Sequence, residues 1–207
     1  MAGPLTADLR AEIAALSERY GAPLHHDATI SGGFADPIRR HDRVGEVCMV
    51  IRRPGGSLLL STKTFYPPGA YRLPTGGIRA GERIEAALLR ETREETGLET
   101  AVRRFLALVS YRARGEAAPL FHTFAFLLDE LGGTLGSLDP AEEILAYREV
   151  AIADLPAVAR ALAAVGPSPS ERIDGDWRDW GRFRAVVHGV VHEALTSAGD
   201  DGGRARG

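Results

Sequence analysis

Three glutamates close to the end of a predicted helix are the feature of this sequence that most constrains its fold. Glu91, Glu94 and Glu95 belong to the stretch RETREETGL, which runs from Arg90 to Leu98. Like charges at this helical spacing repel one another, and carboxylates are unfavourable at the negative end of a helix dipole. The chain therefore needs a compensating positive charge at this position.

A helical projection places these carboxylates on the apolar side of the helix. With Ile84 as the origin and about 100° per residue, Glu91 and Glu95 lie within about 60° of it, and Glu94 lies at the margin. A solvated face is the usual interpretation of an acidic helix, but these side chains continue the buried stripe. Clustered carboxylates suit Mg²⁺ or Mn²⁺, which retain water and accept substrate phosphates as further ligands.

The segment around the glutamates resembles the Nudix box, G-x5-E-x7-R-E-U-x-E-E-x-G-U, in which U is an aliphatic residue. Gly76 to Leu98 matches every fixed position, with Thr92 in an aliphatic slot. Seven specified residues should coincide by chance about once in 10⁸ positions. The chain is thus similar to the Nudix hydrolase (MutT-like) family, and the order of its elements is compatible with that family from about Val44 to Val165.

The resemblance implies roles for individual residues. Glu91, Glu94 and Glu95 match the metal-binding and catalytic positions of the family, and Glu91 also matches a position that orients or deprotonates water. The backbone carbonyl of Thr75 matches a further metal ligand, although threonine replaces the commoner glycine there. The residues expected to support the box structurally are Gly76, Glu82, Arg90 and Gly97.

Acidic residues after the box are candidates for a further metal ligand or for the general base. Asp139, Glu142 and Glu143 lie in the loop before the strand ILAYREV. We favour Glu143, then Glu142, as the additional catalytic residue. The alternative is that all three are ordinary loop acids.

Three residues near the box are weaker candidates for substrate binding. Arg72, in YRLPTGG, is expected either to reach a phosphate across the site or to be a surface strand residue. Lys63 and Tyr66 are expected to flank the opening of this site.

Two other motifs have ordinary structural interpretations. His188 and His192 have the spacing of zinc ligands on a helix, but no third ligand is evident, so we interpret them as surface or packing residues. The stretch DWRDWGRFR groups Trp177, Trp180 and Phe183 at helical spacing. We interpret it as docking of the C-terminal helix onto the core rather than as a surface for stacking on a base.

Composition excludes several classes of protein. A net charge of −3 gives no general attraction to nucleic acid or to an anionic membrane. No apolar run approaches the roughly 18–20 residues that a membrane span requires, and the N-terminus does not resemble a signal peptide. Cys48 is the only cysteine, so no intrachain disulfide forms, and we interpret it as inert packing. We expect a cytoplasmic protein that binds neither nucleic acid nor membrane.

The order of predicted elements indicates an α/β (α+β) fold, in which a mixed β-sheet is sandwiched between α-helices. The predicted helices are about 6–20, 82–96, 155–165 and 176–195, the strands are 44–52, 57–62, 101–111, 120–128 and 144–150, and the main loops are 25–43, 65–75 and 132–140.

Three regions follow from this order. Residues 1–43 form an N-terminal helix and loop extension, for which two roles stay open: forming a homodimer or covering the site. Residues 44–165 form the Nudix domain. Residues 166–207 form a linker, a C-terminal helix packed on the core and a disordered tail.

The leading functional hypothesis is Mg²⁺-dependent hydrolysis of a diphosphate linkage in a nucleoside diphosphate joined to a moiety X. Nucleotides, nucleotide sugars, ADP-ribose and oxidised nucleoside triphosphates all remain candidates, since neither Tyr111 nor Pro119 assigns a subfamily. The alternatives are a catalytically silent nucleotide sensor and an isomerase acting on an isoprenoid diphosphate, and the intact box argues against both.

Overall fold

A computed structural model describes residues 5–30 and 43–197. Its helices are α1 (Ala7–Tyr20), α2 (Ile84–Thr96), α3 (Leu155–Ala163) and α4 (Trp177–Ser197). Its main strands are β1 (Leu24–Ile30), β2 (Arg43–Arg52), β3 (Leu58–Lys63), β4 (Thr75–Arg79), β5 (Leu98–Ala113), β6 (Phe121–Gly133) and β7 (Ile144–Val150). A short ribbon of β8 (Pro169–Ser170) and β9 (Gly175–Asp176) precedes α4, and 3-10 turns cover Pro140–Glu142, Ile152–Asp154 and Glu171–Ile173.

The seven main strands form one mixed sheet in the order β1-β5-β6-β2-β3-β7, with β4 also paired to β2. β2 is parallel to β6 on one side and antiparallel to β4 and β3 on the other. Alternate residues of β2 enter the two halves of the core: Val47 packs in the half that contains α1 and α2, and Cys48 in the half that contains α3 and α4. The predicted fold class is confirmed.

Helix α2 packs on the sheet through an apolar stripe. Ile84, Ala87 and Leu88 are buried against the sheet. Thr92, which occupies the aliphatic slot of the box, is also buried, and its hydroxyl donates to the carbonyl of Leu88 at 2.7 Å. A threonine at this position is therefore tolerated because its one polar atom is satisfied within the helix.

The end of α2 is tied to the loop before β7. Gly97 has a φ of 66°, and its N–H donates to the carbonyl of Arg93, so the helix ends in a left-handed cap. The N–H groups of Gly136 and Leu138 donate to the carbonyls of Thr96 and Glu94, both at 2.9 Å. These bonds satisfy the terminal carbonyls, which have no partner within the helix.

The prediction of a loop from residue 25 to residue 43 is wrong where β1 lies. This strand pairs in parallel with β5, from Leu24 opposite Ala107 to Ile30 opposite Ala113. Most of its side chains are exposed because it is the edge strand of the sheet, and its residues therefore give no alternating apolar pattern. Residues 31–42 lie outside the described ranges.

Other boundaries also differ from those predicted. β4 occupies the start of the box, which the sequence does not reveal as a strand. β5 and β6 extend further than predicted, so that Leu98 lies opposite Gly133, within the predicted loop 132–140. The predicted disordered tail begins at Ser197, which is instead the last residue of α4, and residues 198–207 lie outside the described residues.

Helix α4 is docked on the core by its aromatic residues. Trp177, Trp180 and Phe183 are buried in the half of the core that also contains α3. At the crossing with α3, a Cβ added to Gly181 would lie 2.2 Å from the carbonyl oxygen of Leu162. No helix of the described residues is both long and apolar enough to cross a membrane.

We expect Gly181→Ala to lower the free energy of unfolding by about 1–3 kcal/mol, because the added methyl forces α3 and α4 apart. Gly189→Ala is the matched control on the same helix, since nothing lies within 4 Å of its added Cβ. That variant should gain up to about 1 kcal/mol from higher helix propensity. Urea unfolding followed by circular dichroism measures both, and equal free energies for the two variants would contradict the close crossing.

Candidate active site

The box glutamates lie at the junction of α2 and β4. Glu95 is 1% exposed and Glu91 is 7% exposed, whereas Glu94 is half-buried. A Cβ added to Gly76 would lie 2.1 Å from Cγ of Glu91, so only glycine allows β4 to approach the helix this closely. Thr75, which precedes Gly76, is buried, and together with Glu91 and Glu95 it lines a cleft at this junction.

Arg90 holds the box together. Its Nε and Nη2 donate to the two carboxylate oxygens of Glu82 at 2.7 and 2.8 Å, and Nη2 also donates to the carbonyl of Gly77. Its Nη1 donates to Glu91 at 2.8 Å and to Glu94 at 2.9 Å. Glu82 also accepts from the backbone N–H of Arg79. Arg90 therefore neutralises carboxylates of the helix and joins it to β4.

A second acidic segment, the loop before β7, contributes Glu142 to the cleft. Lys63 Nζ lies 2.7 Å from Glu142 and 3.4 Å from Glu95, and so connects the loop to α2. Asp139 instead caps the turn Pro140–Glu142 by accepting from the N–H of Ala141. Only Glu142 of these loop acids is thus held beside a box glutamate.

Glu143 lies at the mouth of the same cleft. Its backbone has a φ of 53°, which is left-handed, and its carbonyl accepts from the N–H of Thr64. Its carboxylate pairs with Arg172, whose guanidinium also stacks on the ring of Phe65. Glu143 is thus paired with Arg172, whereas Lys63 is paired with Glu142.

Arg72 is neither a surface residue nor free. It is 2% exposed, and its Nε donates to the hydroxyl of Tyr66 at 2.9 Å, while Nη1 donates to the carbonyl of Leu73. The N–H of Leu73 donates in turn to Nε2 of His188, which is fully buried. His188 is therefore a packing residue, and burial lowers its pKa to about 4.

Acidic side chains of α2 and of the loop before β7 meet Lys63 and Arg72 in one cleft of about 300 Å³. Glu94 does not line this cleft. Burial raises the pKa of Glu95 to about 7, although Arg72 and Lys63 act in the opposite direction. Burial also raises the pKa of Glu91 in spite of Arg90. For Glu142, burial is outweighed by the hydrogen bond and charge of Lys63, which leave its pKa lowered.

A further charge pair lines the cleft, and the sequence analysis does not identify it. Glu46 on β2 is 2% exposed and accepts from Nη1 of Arg184 on α4 at 2.7 and 2.8 Å. Thr123 donates to the same carboxylate at 2.8 Å. The sequence does contain a signal for this pair, because Glu46 is a charged residue within the apolar strand VGEVCMVIR. A charged residue in a central strand is rarely buried without a partner.

The remaining sequence candidates lie away from the cleft. His192 is half-buried on α4 and does not line it. Cys48 is buried in β2, and burial raises the pKa of its thiol to about 12, so it is inert. Tyr111 is buried in β5, with its ring 4.5 Å from that of Phe183.

The donors of this cleft fit a divalent cation without forming a preformed site. No three His, Cys, Asp or Glu residues within 5–30 and 43–197 are grouped closely enough to hold a metal ion. Arg90 and Lys63 provide the positive charge instead. Both carboxylate oxygens of Glu95 nevertheless lack a hydrogen-bond partner among the described residues. A buried carboxylate with free lone pairs is a suitable ligand for a hard cation.

A comparison with protein families agrees with this geometry. Residues 42–169, more than half of the chain, match the NUDIX domain. The chain therefore belongs to the Nudix family, as the box predicts. Members of this family generally use divalent metal ions.

Two of the curated relatives have names that state different activities. The chain is 34% identical over 94 residues to the ADP-ribose pyrophosphatase of Methanocaldococcus jannaschii, a match that covers 45% of this chain and 55% of the relative. It is 30% identical over 121 residues to the NAD-capped RNA hydrolase NudC of Chromobacterium violaceum, which covers 53% of this chain and 43% of that relative. The chain thus spans about half the length of these relatives.

Solved structures give a weaker likeness. An ADP-ribose pyrophosphatase from Streptococcus suis has 17% identity and a TM-score of 0.45, covering 72% of this chain and 90% of that one. An Ap4A hydrolase from C. elegans also has 17% identity and a TM-score of 0.45, covering 74% and 98%. Membership of the family rests on the match over residues 42–169.

Glu95→Gln should change how the stability of the metal-free protein depends on pH. The pKa of Glu95 is raised from 4.5 to about 7 by folding, so the folded state holds a proton that the unfolded state releases above pH 4.5. The wild-type free energy of unfolding should therefore fall, relative to that of the variant, as pH rises from 4.5 to 7, by on the order of 1–3 kcal/mol.

Urea unfolding in EDTA at pH 4.5, 6 and 8 measures this difference. Glu99→Gln, at an exposed position of β5, is the control and should follow the wild type. A difference between Glu95→Gln and the wild type that stays constant across this range would contradict the raised pKa.

Proposed function

We propose that the chain hydrolyses a diphosphate linkage in a nucleoside diphosphate joined to a moiety X, with Mg²⁺ or Mn²⁺ as cofactor. The observation that carries the proposal is the burial of Glu91 and Glu95 beside Glu142 in a cleft that also contains basic side chains. Relatives named for ADP-ribose pyrophosphatase and NAD-capped RNA hydrolase activity support this substrate class.

The residues that would hold the cation are the carboxylates of Glu91, Glu94 and Glu95 and the carbonyl of Thr75. A divalent cation bound there supplies positive charge to phosphate oxygens and lowers the pKa of a coordinated water. The oxygens of Glu95, which accept no hydrogen bond and pair with Lys63 at 3.4 Å, support this assignment. Arg90 has a positioning role, because it fixes the orientation of Glu91 and Glu94 without lining the cleft.

The basic residues of the cleft favour a phosphorylated substrate. Arg43 and Arg172 line the cleft and are partly or largely exposed, so phosphate oxygens can approach both, although Arg172 is paired with Glu143. Lys63 and Arg72 are held by acids and by Tyr66, and they set the charge of the interior. Glu91 is a better proton acceptor for water than Glu142, because burial raises the pKa of Glu91 while Lys63 lowers that of Glu142.

A panel of nucleotides, incubated with the protein in Mg²⁺ or in EDTA, tests the function. The panel contains ADP-ribose, nucleotide sugars, dinucleoside polyphosphates, oxidised nucleoside triphosphates and an NAD-capped RNA, and released monophosphate or phosphate is read by anion-exchange chromatography. We expect turnover of at least one compound in Mg²⁺ and none in EDTA. Binding without turnover of any compound would instead support a silent sensor.

Glu94→Gln and Glu95→Gln should each lower kcat by about 10²–10³-fold, since each removes charge from the proposed cation site. Glu85→Gln is the matched control on the same helix. Glu85 pairs with Arg19 and Tyr20 outside the cleft, so that variant should keep wild-type turnover. Thermal unfolding checks that all three variants are folded. Wild-type turnover in a Glu94→Gln, Glu95→Gln double variant would exclude the proposed site.

Glu142→Gln should lower kcat at least about tenfold more than Glu143→Gln, because Glu142 is held beside Glu95 and Glu143 lies at the mouth. From the sequence alone we expect the opposite order, with Glu143 before Glu142. Steady-state kinetics of the two variants on the best substrate of the panel measures the difference. A larger loss in Glu143→Gln would return the second acidic role to that residue.

A further inference from the structure

The pair of Glu46 and Arg184 is built into the cleft without a role in the box. Its partners come from two different elements, β2 and α4, and lie 138 residues apart in the chain. Both side chains are more than nine-tenths buried, yet both line the cleft. Arg184 also lies beyond residue 169, where the match to the family ends.

Arg184 retains an unused hydrogen-bond donor. Its Nη1 donates to both oxygens of Glu46, but its Nε has no hydrogen-bond partner among the described residues. Buried donors are nearly always paired, so an orphan at the wall of a cleft indicates a missing acceptor. The carboxylate of Glu46 lies next to this donor. A donor and an acceptor therefore lie side by side in the wall of the cleft, and a small shift of the wall exposes Nε, which has almost no accessible surface.

The same cleft is lined by aromatic rings. Phe65 and Tyr66 are half-buried and line it, with ring centroids 5.1 Å apart and ring planes nearly perpendicular. The ring of Tyr66 packs against that of Trp180, whose centroid lies 4.7 Å away. Aromatic faces of this kind bind planar rings through offset or edge contacts.

These features suit a neutral planar ring better than a phosphate. Glu46 repels an anion, and it already neutralises Arg184. A nucleobase has adjacent donors and acceptors on its edge and a π face, and both are complementary to this part of the cleft.

We propose that Arg184 and Glu46 select the base of the nucleotide substrate, so that a helix outside the family segment determines specificity. The proposal rests on the proposed function, since it assigns the nucleoside end of the same substrate. Arg184 donates from Nε to an acceptor of the base, Glu46 accepts from a donor beside it, and Tyr66 contacts the ring.

Arg184→Lys is the decisive variant. Lysine keeps the charge that Glu46 requires but has no donor at the position of Nε, so it separates recognition from structural pairing. We compare nucleoside diphosphate sugars that carry the same sugar and differ only in the base. For the preferred base, the variant should raise KM by about 10- to 100-fold with kcat little changed, since a hydrogen bond from a charged donor is lost. The preference among bases should fall with it.

Arg178→Gln is the control on the same helix. Arg178 lies outside the cleft, and its side chain is 44% exposed, so its KM values should match those of the wild type for every base. A second variant joins Glu46→Gln to Arg184→Met and removes both charges, so that no uncompensated charge is left buried. It should fold and should also lose base preference. Unchanged preference in the folded variants would overturn the proposal, as would an equal loss of kcat for all bases.

A binding measurement separates this proposal from the function on which it rests. Calorimetry without metal compares nucleoside monophosphates with ribose 5-phosphate, and we expect the monophosphates to bind tighter in the wild type but not in Arg184→Lys. Base-selective binding without hydrolysis of any nucleotide would overturn the proposed function and support this selection. Hydrolysis together with equal binding of ribose 5-phosphate would overturn the selection alone. If neither hydrolysis nor base-selective binding is observed, both proposals are overturned.

Discussion

Compensation of buried carboxylates is the constraint on which the rest of the site depends. Glu91 and Glu95 are desolvated at the end of a helix whose dipole also disfavours them, and burial raises the pKa of each. Two positively charged side chains compensate for this cost. Arg90 braces Glu91 from within the box, and Lys63 lies between Glu95 and Glu142. Because these cations already balance part of the charge, the cluster is tolerable before any ion or substrate enters.

Main-chain hydrogen bonds fix the relative position of the two acidic segments. The loop that carries Glu142 donates its N–H groups to the last carbonyls of α2, next to Glu95. The hydroxyl of Tyr147, on β7, donates to the carbonyl of Glu95 itself. The helix end that needs capping and the loop that supplies the second acid are thus one assembly. Changes in this loop should act on the box glutamates through the backbone.

What could be predicted from the sequence divides by the range of the interactions. The box predicts α2, the cap at Gly97 and the brace at Arg90, because their partners lie within about one helix length of chain. β1 is missed because its parallel pairing with β5 is distant and its side chains are mostly exposed. The inward position of Glu142 depends on its hydrogen bond with Lys63, 79 residues away in the chain, which no sequence pattern reveals.

The segment shared with the family and the segment that folds as a unit differ. The match ends at residue 169, but Trp177, Trp180 and Phe183 beyond it close one half of the core. A chain shortened to the shared segment would leave the sheet face beneath α4 open to water, with a broad apolar surface prone to self-association. Limits drawn from homology alone would thus yield an insoluble fragment, although every residue of the box would be present.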